Sequence, residues 1–546
     1  MSFYEESSIV ITPNAYKAGT LYAVVPTSGA ADMDVTRATA ATRVDENGLV
    51  NYAEILGGEE VVNGDFATDT DWTKTGTWSI ESNYATANGN STSQYIQQDF
   101  TITNGKTYLF TYEIIENTLN GTGSSLSSGG GFGSVAISNV IGTHQVYITA
   151  TNSSATYALM IGVSGSATTG TIKIDNVSVK EADLDNVPRI DYTGGGCPHI
   201  LAEPQRTNWV TYSEDFSQNT ISGGTILSDN IISPNGTLTA DTFKEDTNIS
   251  QHKIRKNISV STGTYTMSCF IKGTDRYVSF YPQSAGTAYA IFDIENESIT
   301  TTGGANYVNS IIEDYGNGWS RCSLTYNVST GTSSTHIYLS NDSSSPAPIY
   351  QGNESEISFY GFQLEVGSYA TSYIPTSGAT VTRNQDVFTR DGISSLINST
   401  EGVLFVEAAT TYDSSTSRRI SLSDGSINNR VLLEFDETTE NTIKAVITTG
   451  AVNSAIMTFA ASDLSQYNKI AIKYKLNDFS IWFNGTEVVT DSSGNVPTGL
   501  TQLVLDGGDG NNFFFGKVKQ LQVYDTSLSD NQLIQLTGEA GTHFFE

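Results

Sequence analysis

Residues 187–208 read VPRIDYTGGGCPHILAEPQRTN, and the division of the whole chain hangs on how this stretch is read. Three prolines (Pro188, Pro198, Pro204) interrupt it, three consecutive glycines (Gly194, Gly195, Gly196) sit in its middle, and Cys197-Pro-His-Ile-Leu-Ala202 is its only hydrophobic run. Proline removes a backbone donor and glycine frees the backbone, so the pattern predicts an irregular segment rather than a helix or a clean pair of strands. Strand-rich sequence lies on both sides. The segment, taken as 183–207, is therefore expected to be a junction that sets how an N-terminal part and two later modules sit relative to one another.

Upstream, residues 56–182 form a succession of short apolar runs separated by turn residues. Thr107-Tyr-Leu-Phe-Thr-Tyr-Glu-Ile114 alternates with a period of two, the mark of a half-buried strand, and the recurrence of such runs predicts a sandwich or jelly roll. The tract at 120–133, NGTGSSLSSGGGFG, reads as a flexible loop between strands. Downstream the same order of features returns in residues 208–368: TYTMSCFIKG matches KTYLFTYEII, THIYLSND matches TYALMIGVS, and ISFYGFQLEVG matches IKIDNVSVKE. Two diverged copies of one module are the economical explanation.

A tighter repeat links the two ends. Val25-Pro-Thr-Ser-Gly29 recurs as Ile374-Pro-Thr-Ser-Gly378, and each copy is followed by Thr-Arg, at Thr36-Arg37 and Thr382-Arg383. Residues 369–387 thus read as a connector whose form is used twice. Residues 1–55 hold too few apolar positions for a core of their own and are expected to pack on another subunit, another protein or the junction; an edge strand added to the first sandwich is the alternative. Residues 388–546 make a final strand-rich module with one helical turn near Ser529 to Leu536, capped by Ser529 or Asp530. The predicted fold class is all-β: tandem β-sandwich (jelly-roll) modules with an extended N-terminal segment.

Composition narrows the function. Against 27 basic residues stand 58 acidic ones, a net charge of -31 that repels phosphate backbones, so no nucleic acid is expected as a partner. No window approaches the roughly 18 apolar residues of a membrane span, and the N-terminus carries no secretory pattern. Cys197, Cys269 and Cys322 cannot all pair within one chain, which fits synthesis in a reducing cytoplasm. Cys269 and Cys322 lie in strand-like runs as small buried hydrophobes.

Three sets of residues resemble known families. Phe479-Ser-Ile-Trp-Phe-Asn-Gly485, Gly516-Lys-Val-Lys-Gln-Leu-Gln-Val-Tyr524 and Leu528-Ser-Asp-Asn-Gln-Leu533 resemble the closing strands of concanavalin A-like (laminin G-like) lectin sandwiches. NGDF opening and IDNVSVKE closing the first module make the two earlier modules similar to carbohydrate-binding jelly rolls of the galactose-binding-like kind. Residues 187–216 and 362–387 look like segments that recur in fibre and appendage proteins of tailed bacteriophages. The resemblance implies a virion protein, assembled in the host cytoplasm, commonly a homotrimer, whose N-terminal segment anchors it to other virion proteins while its sandwiches meet host-surface glycans.

The alternative is a glycan-degrading enzyme with accessory binding modules, which would need a pair of carboxylates flanking a glycosidic bond. Asp293-Ile-Glu295-Asn-Glu297 and Glu434-Phe-Asp436-Glu437 are the nearest clusters, and both read as solvated hairpins, so no catalytic residue is assigned. The five histidines are dispersed without zinc spacing, and Cys197 with His199 reads as a packed junction. Calcium is the one cofactor with a candidate site: Asp506 and Asp509 within DGGDGN, and Asp65 with Asp175 where the ends of the first jelly roll meet. Trp72, Trp78, Trp319 and Trp482 fall in strand patterns and are expected in the cores rather than on a sugar-binding surface.

Overall fold

The computed structural model describes residues 3–120, 126–153, 158–283, 288–329, 332–410 and 417–538, and its architecture is all-β. Three two-layer sandwiches follow one another. In the first, a six-stranded sheet runs in the order Gly142–Thr149, Thr107–Asn117, Thr171–Asp183, Tyr84–Asn88, Ser79–Glu81, with Ile55–Glu59 also paired to Thr171–Asp183. It packs on a five-stranded sheet centred on Leu159–Val163. Alternation decides which side chains go inside: Tyr108, Phe110, Tyr112 and Ile114 enter the core with Ile96 and Ile161 from the opposing sheet.

The second sandwich has two six-stranded sheets. Its strand Gly263–Lys272 lies between Ser320–Val328 and Glu356–Val366, as Thr107–Asn117 lies between Gly142–Thr149 and Thr171–Asp183 in the first. Strands Thr332–Ser340 and Leu159–Val163 likewise occupy inner places in the opposing sheets. The strands matched by sequence thus hold equivalent positions. Cys269 and Cys322 stand directly opposite one another across two of these strands, both fully buried in the core.

The third sandwich departs from the sequence reading. Its sheets contain eight and nine strands, and several come from outside residues 388–546. Ile9–Ile11 and His199–Ala202 both pair with Gly516–Tyr524, at Leu521 to Val523 and at Gly516 to Val518 respectively, so two separate pieces share one side of that strand. In the other sheet Met33–Thr36 pairs with Val387–Arg390. The core of this sandwich accordingly mixes Ile9, Ile11, Met33 and Val35 with Ile190, Ile200 and Ala202 and with Leu404, Ile472 and Val523.

Two expectations are corrected here. The described part of the N-terminal segment does pack on the junction, through Val44 N donating to Asp191 Oδ2 and Tyr192 N to Val44 O, but it is not an edge of the first sandwich: too short for its own core, it buries Ile9 and Ile11 in the third. The junction, expected to be irregular, contains the strands Ile190–Asp191, His199–Ala202 and Arg206–Asn208. Its prolines fall outside these strands, where the missing donor is harmless. The glycines take positive φ (85°, 72° and 74°) in a turn closed by Gly195 N donating to Tyr192 O at 2.9 Å.

Smaller differences follow the same logic. Within the tract read as a loop at 120–133, residues 121–125 lie outside the described residues, but Leu126–Ser128 is a strand and Phe132 is buried. The C-terminal helix is Asp530–Thr537, with Gln532 Oε1 accepting from Ser529 N at 3.0 Å. The four tryptophans Trp72, Trp78, Trp319 and Trp482 are buried. Among the described residues no helix is long and apolar enough to cross a membrane.

Candidate functional site

A buried ion cluster lies where the ends of the chain meet the junction. Arg37 and Arg383, the arginines of the repeated Thr-Arg, converge there with Arg189 of the junction. Arg37 Nη1 donates to Asp386 Oδ1 at 2.8 Å, and Arg189 donates to the other oxygen of Asp386. Arg189 Nη1 also reaches Glu203 Oε2 at 2.5 Å, while Arg383 Nη1 lies 2.7 Å from the same oxygen. Glu203 takes Ser372 N on its remaining oxygen at 2.8 Å.

Three guanidiniums thus surround two carboxylates. Burial alone would raise the pKa of either acid, but at Asp386 the charges of Arg189 and Arg37 outweigh it, and at Glu203 those of Arg383 and Arg189 do, holding both below the usual carboxylate range. Burial lowers the pKa of Arg37 and Arg383, while at Arg189 the two carboxylates more than offset it.

Above this cluster opens a cleft of ≈ 400 Å³, within the range of about 300–1,000 Å³ typical of small-molecule sites, and it lies between modules where such sites concentrate. Four parts of the chain wall it. The hairpin of Thr42–Val44 and Val50–Tyr52, packed on the second sandwich through Val44, Val50, Phe270 and Trp319, brings Arg43. The second sandwich contributes Arg321 and, from its edge, Glu313 and Tyr315. In the junction, alternation sends Ile200 and Ala202 into the third core and leaves Leu201 lining the cleft, with Lys517 directly opposite it. Tyr369 and Phe515 add half-buried rings.

The charges of this cleft are not alike in their freedom. Asp191 accepts from Val44 N at 2.9 Å and Thr193 N at 2.8 Å, and His199 Nε2 lies 3.2 Å away. Burial would raise its pKa, but His199 and these donors bring it to about 2, while burial pushes His199 down. Glu203 is saturated by the cluster below. The cations differ. Arg43 Nε and Nη1 have no hydrogen-bond partner, and the nearest carboxylate oxygen, on exposed Glu46, is 3.9 Å away. Arg321 donates to Thr371 O at 2.7 Å and Ser268 Oγ at 3.1 Å, its Nε is unpartnered, and among the described residues no carboxylate pairs with it or with Lys517.

The residues singled out by sequence lie elsewhere. Asp65, Asp175 and also Glu113 come near one another at one end of the first sandwich; burial, then Glu113 and Asp65, hold the Asp175 carboxyl above its ordinary range. Asn176 Nδ2 donates to Glu113 Oε2 at 2.8 Å. Asp506 is buried and spends one oxygen on the turn of its own loop, accepting from Gly508 N at 2.6 Å and Gly510 N at 3.4 Å, and Asp509 accepts from Asn511. Among the described residues no group of three or more His, Cys, Asp or Glu side chains is arranged to hold a metal ion.

Asp293 caps the hairpin turn through Asn296 N at 3.1 Å. Glu434 is not on a hairpin but in the strand Arg430–Phe435, buried and paired with Arg419 at 2.7 Å, and Lys444 lies 2.7 Å from Asp436. Cys197 is exposed rather than packed, whereas His199 is buried. The cleft itself escaped sequence reading because Arg43, Arg321 and Lys517 share no local pattern.

No protein-family model and no curated protein matches the chain. Among solved structures, the CBM40 of Ruminococcus gnavus IT-sialidase bound to alpha2,3 sialyllactose is similar at 19% identity over 27% of this chain and 86% of its own, with a TM-score of 0.24. The CBM22 tandem of Paenibacillus barcinonensis Xyn10C is similar at 10% identity over 57% of this chain and 98% of its own, TM-score 0.19. Domains LG4-5 of the mouse laminin alpha1 chain are similar at 10% identity over 51% and 89%, TM-score 0.18. At these scores the likenesses bear no functional argument, and the architecture rests on the strand pairing described above.

Proposed function

We propose that the protein is an adhesive structural component of a tailed-phage virion, presenting its sandwiches to host-surface glycans, with the intermodular cleft as the contact site. The observation that carries this reading is the cleft, with half-buried rings and three cations at the place where the second and third sandwiches meet the junction and the N-terminal hairpin. Sugar recognition uses such a mixture of ring faces and polar groups. The virion assignment is supported by the resemblance of residues 187–216 and 362–387 to phage appendage proteins and by a net charge of -31 that disfavours nucleic acid.

Binding is favoured over hydrolysis by the state of the acids. Asp191 and Glu203 are both held ionised by donors and guanidiniums, so neither keeps a proton to lend a leaving group near neutral pH. The test is a glycan array probed with the full chain. Retention of defined glycans, lost on filling the cleft with Leu201→Trp, is the expected result; a silent array, or retention unaffected by that substitution, would count against the reading. Light scattering then tests the expected trimer.

A further inference from the structure

Resting on the glycan reading above, we infer that the cleft selects saccharides bearing an anionic substituent, a carboxylate or a phosphate, which Arg43, Arg321 and Lys517 receive. The argument is one of unequal saturation. Each acid that reaches the cleft from its floor is already filled: Asp191 by two backbone N–H groups with His199 beside it, and Glu203 by Arg189, Arg383 and Ser372. Among the described acids lining the cleft, Glu313, on the solvent-facing edge strand Tyr307–Asp314, stands open at the rim.

The donors are under-used by comparison. Arg43 leaves Nε and Nη1 without a hydrogen-bond acceptor, its carboxylate neighbours being Glu46, 3.9 Å from Nη1 on the exposed side, and Glu54, and buried Arg321 leaves Nε without one. Buried donors left unpaired are costly, and a guanidinium presents several in a fixed fork that matches carboxylate or phosphate oxygens. The surroundings reinforce this. In a chain carrying -31, six of the twelve arginines (Arg37, Arg43, Arg189, Arg206, Arg321 and Arg383) are gathered around this junction. The cluster beneath the cleft holds three arginines against two carboxylates, so its field is positive toward whatever enters. Phe515 offers a half-buried ring beside Lys517, a wall for the apolar face of a sugar.

Titration calorimetry of the full chain with glucose, glucuronate, glucose 6-phosphate and inorganic phosphate tests the inference, alongside an array of neutral and acidic glycans. Glucuronate or glucose 6-phosphate is expected to bind at least about tenfold more tightly than glucose, with the preference shrinking as salt rises. Arg43→Gln and Lys517→Gln should each remove most of it. Arg321→Gln also breaks contacts inside the second sandwich, so the two more accessible variants, checked for an unchanged melting temperature, carry the test.

The arms separate the two charged groups: preference for glucuronate alone assigns a carboxylate, preference for glucose 6-phosphate alone a phosphate. Equal binding of glucose and the acidic sugars, unaltered in Arg43→Gln, would overturn the anionic inference and leave adhesion standing. Binding of inorganic phosphate as tight as that of glucose 6-phosphate, without glucuronate binding, would overturn the saccharide part. Failure of every glycan on the array would remove the adhesion reading itself.

Discussion

Arg37 and Asp386, 349 residues apart in the chain, form an ion pair 2.8 Å long with both side chains wholly shut off from solvent. The pair fastens the N-terminal segment to the last connector, and through Arg189 it fastens both to the junction.

Removing one partner of a buried pair leaves the other charge uncompensated, at a cost of about 3–5 kcal/mol. Asp386→Asn is therefore expected to lower the unfolding free energy by that order in urea titrations, and Arg37→Met by a similar or smaller amount because Asp386 keeps Arg189. A double-mutant cycle should show the two effects to be strongly non-additive; simple additivity would mean that the pair is not coupled as the geometry requires.

Stability should pass through a maximum on the acid side of neutrality. Asp241, fully buried, has its carboxyl pushed to about 7, by burial first, with the N–H groups of Asp229 and Phe216 working the other way. Since its folded pKa lies above the unfolded value of about 3.9, the folded state binds the proton more tightly, and stability declines as pH rises from about 4 to about 7. Asp191 works in the opposite sense: held at about 2, it contributes stability above about pH 4 that is lost as pH falls toward 2. Asp386 and Glu203, also depressed, add to that acid loss. Chemical unfolding at pH 3, 5 and 8 checks the shape, and Asp241→Asn should flatten the alkaline side.

Deleting residues 1–40 should unfold the third sandwich while sparing the first. The deletion strips Ile9–Ile11 from Gly516–Tyr524 and Met33–Thr36 from Val387–Arg390. Single Ile9→Ala or Ile11→Ala changes, at positions almost wholly buried, should each cost about 2–5 kcal/mol. Limited proteolysis followed by mass spectrometry reports which sandwich opens; cleavage confined to the first would contradict the strand pairing.

Cys269 and Cys322, as a directly opposed cross-strand pair, lie within the separation that a disulfide spans. Oxidised glutathione accepting their two hydrogens should join them within one chain, slowly because burial pushes both thiols up and keeps them protonated. Exposed Cys197 should instead carry a mixed disulfide. Intact-mass and peptide mapping separate these products, and persistence of both buried thiols after prolonged oxidation would refute the pairing.

Much of the fold could be read from local pattern, because residues such as Tyr108, Phe110, Tyr112 and Ile114 announce their face by alternation and their ends by turns. The helix cap at Ser529 is local as well. The junction was opaque for the opposite reason. Strands as short as Ile190–Asp191 and His199–Ala202 have no internal period to display, and they exist because Gly516–Tyr524 supplies the other half of the ladder. The repeated Thr-Arg was visible, but an arginine shows nothing of its burial until Asp386 and Glu203 are placed beside it. The acids proposed for calcium were chosen for composition, and Asp506 proves to serve its own turn.

Gly516–Tyr524 receives strands from both the start of the chain and its middle, which imposes an order on manufacture. At ribosomal speeds of about 5–20 residues per second, Ile9–Ile11 must wait roughly half a minute to two minutes for its partner to be translated. During that delay an apolar strand hangs from the nascent polypeptide with nothing to shelter it, while the first two sandwiches close behind it. Residues 516–524, made about 500 residues after Ile9–Ile11, are the ones that capture it.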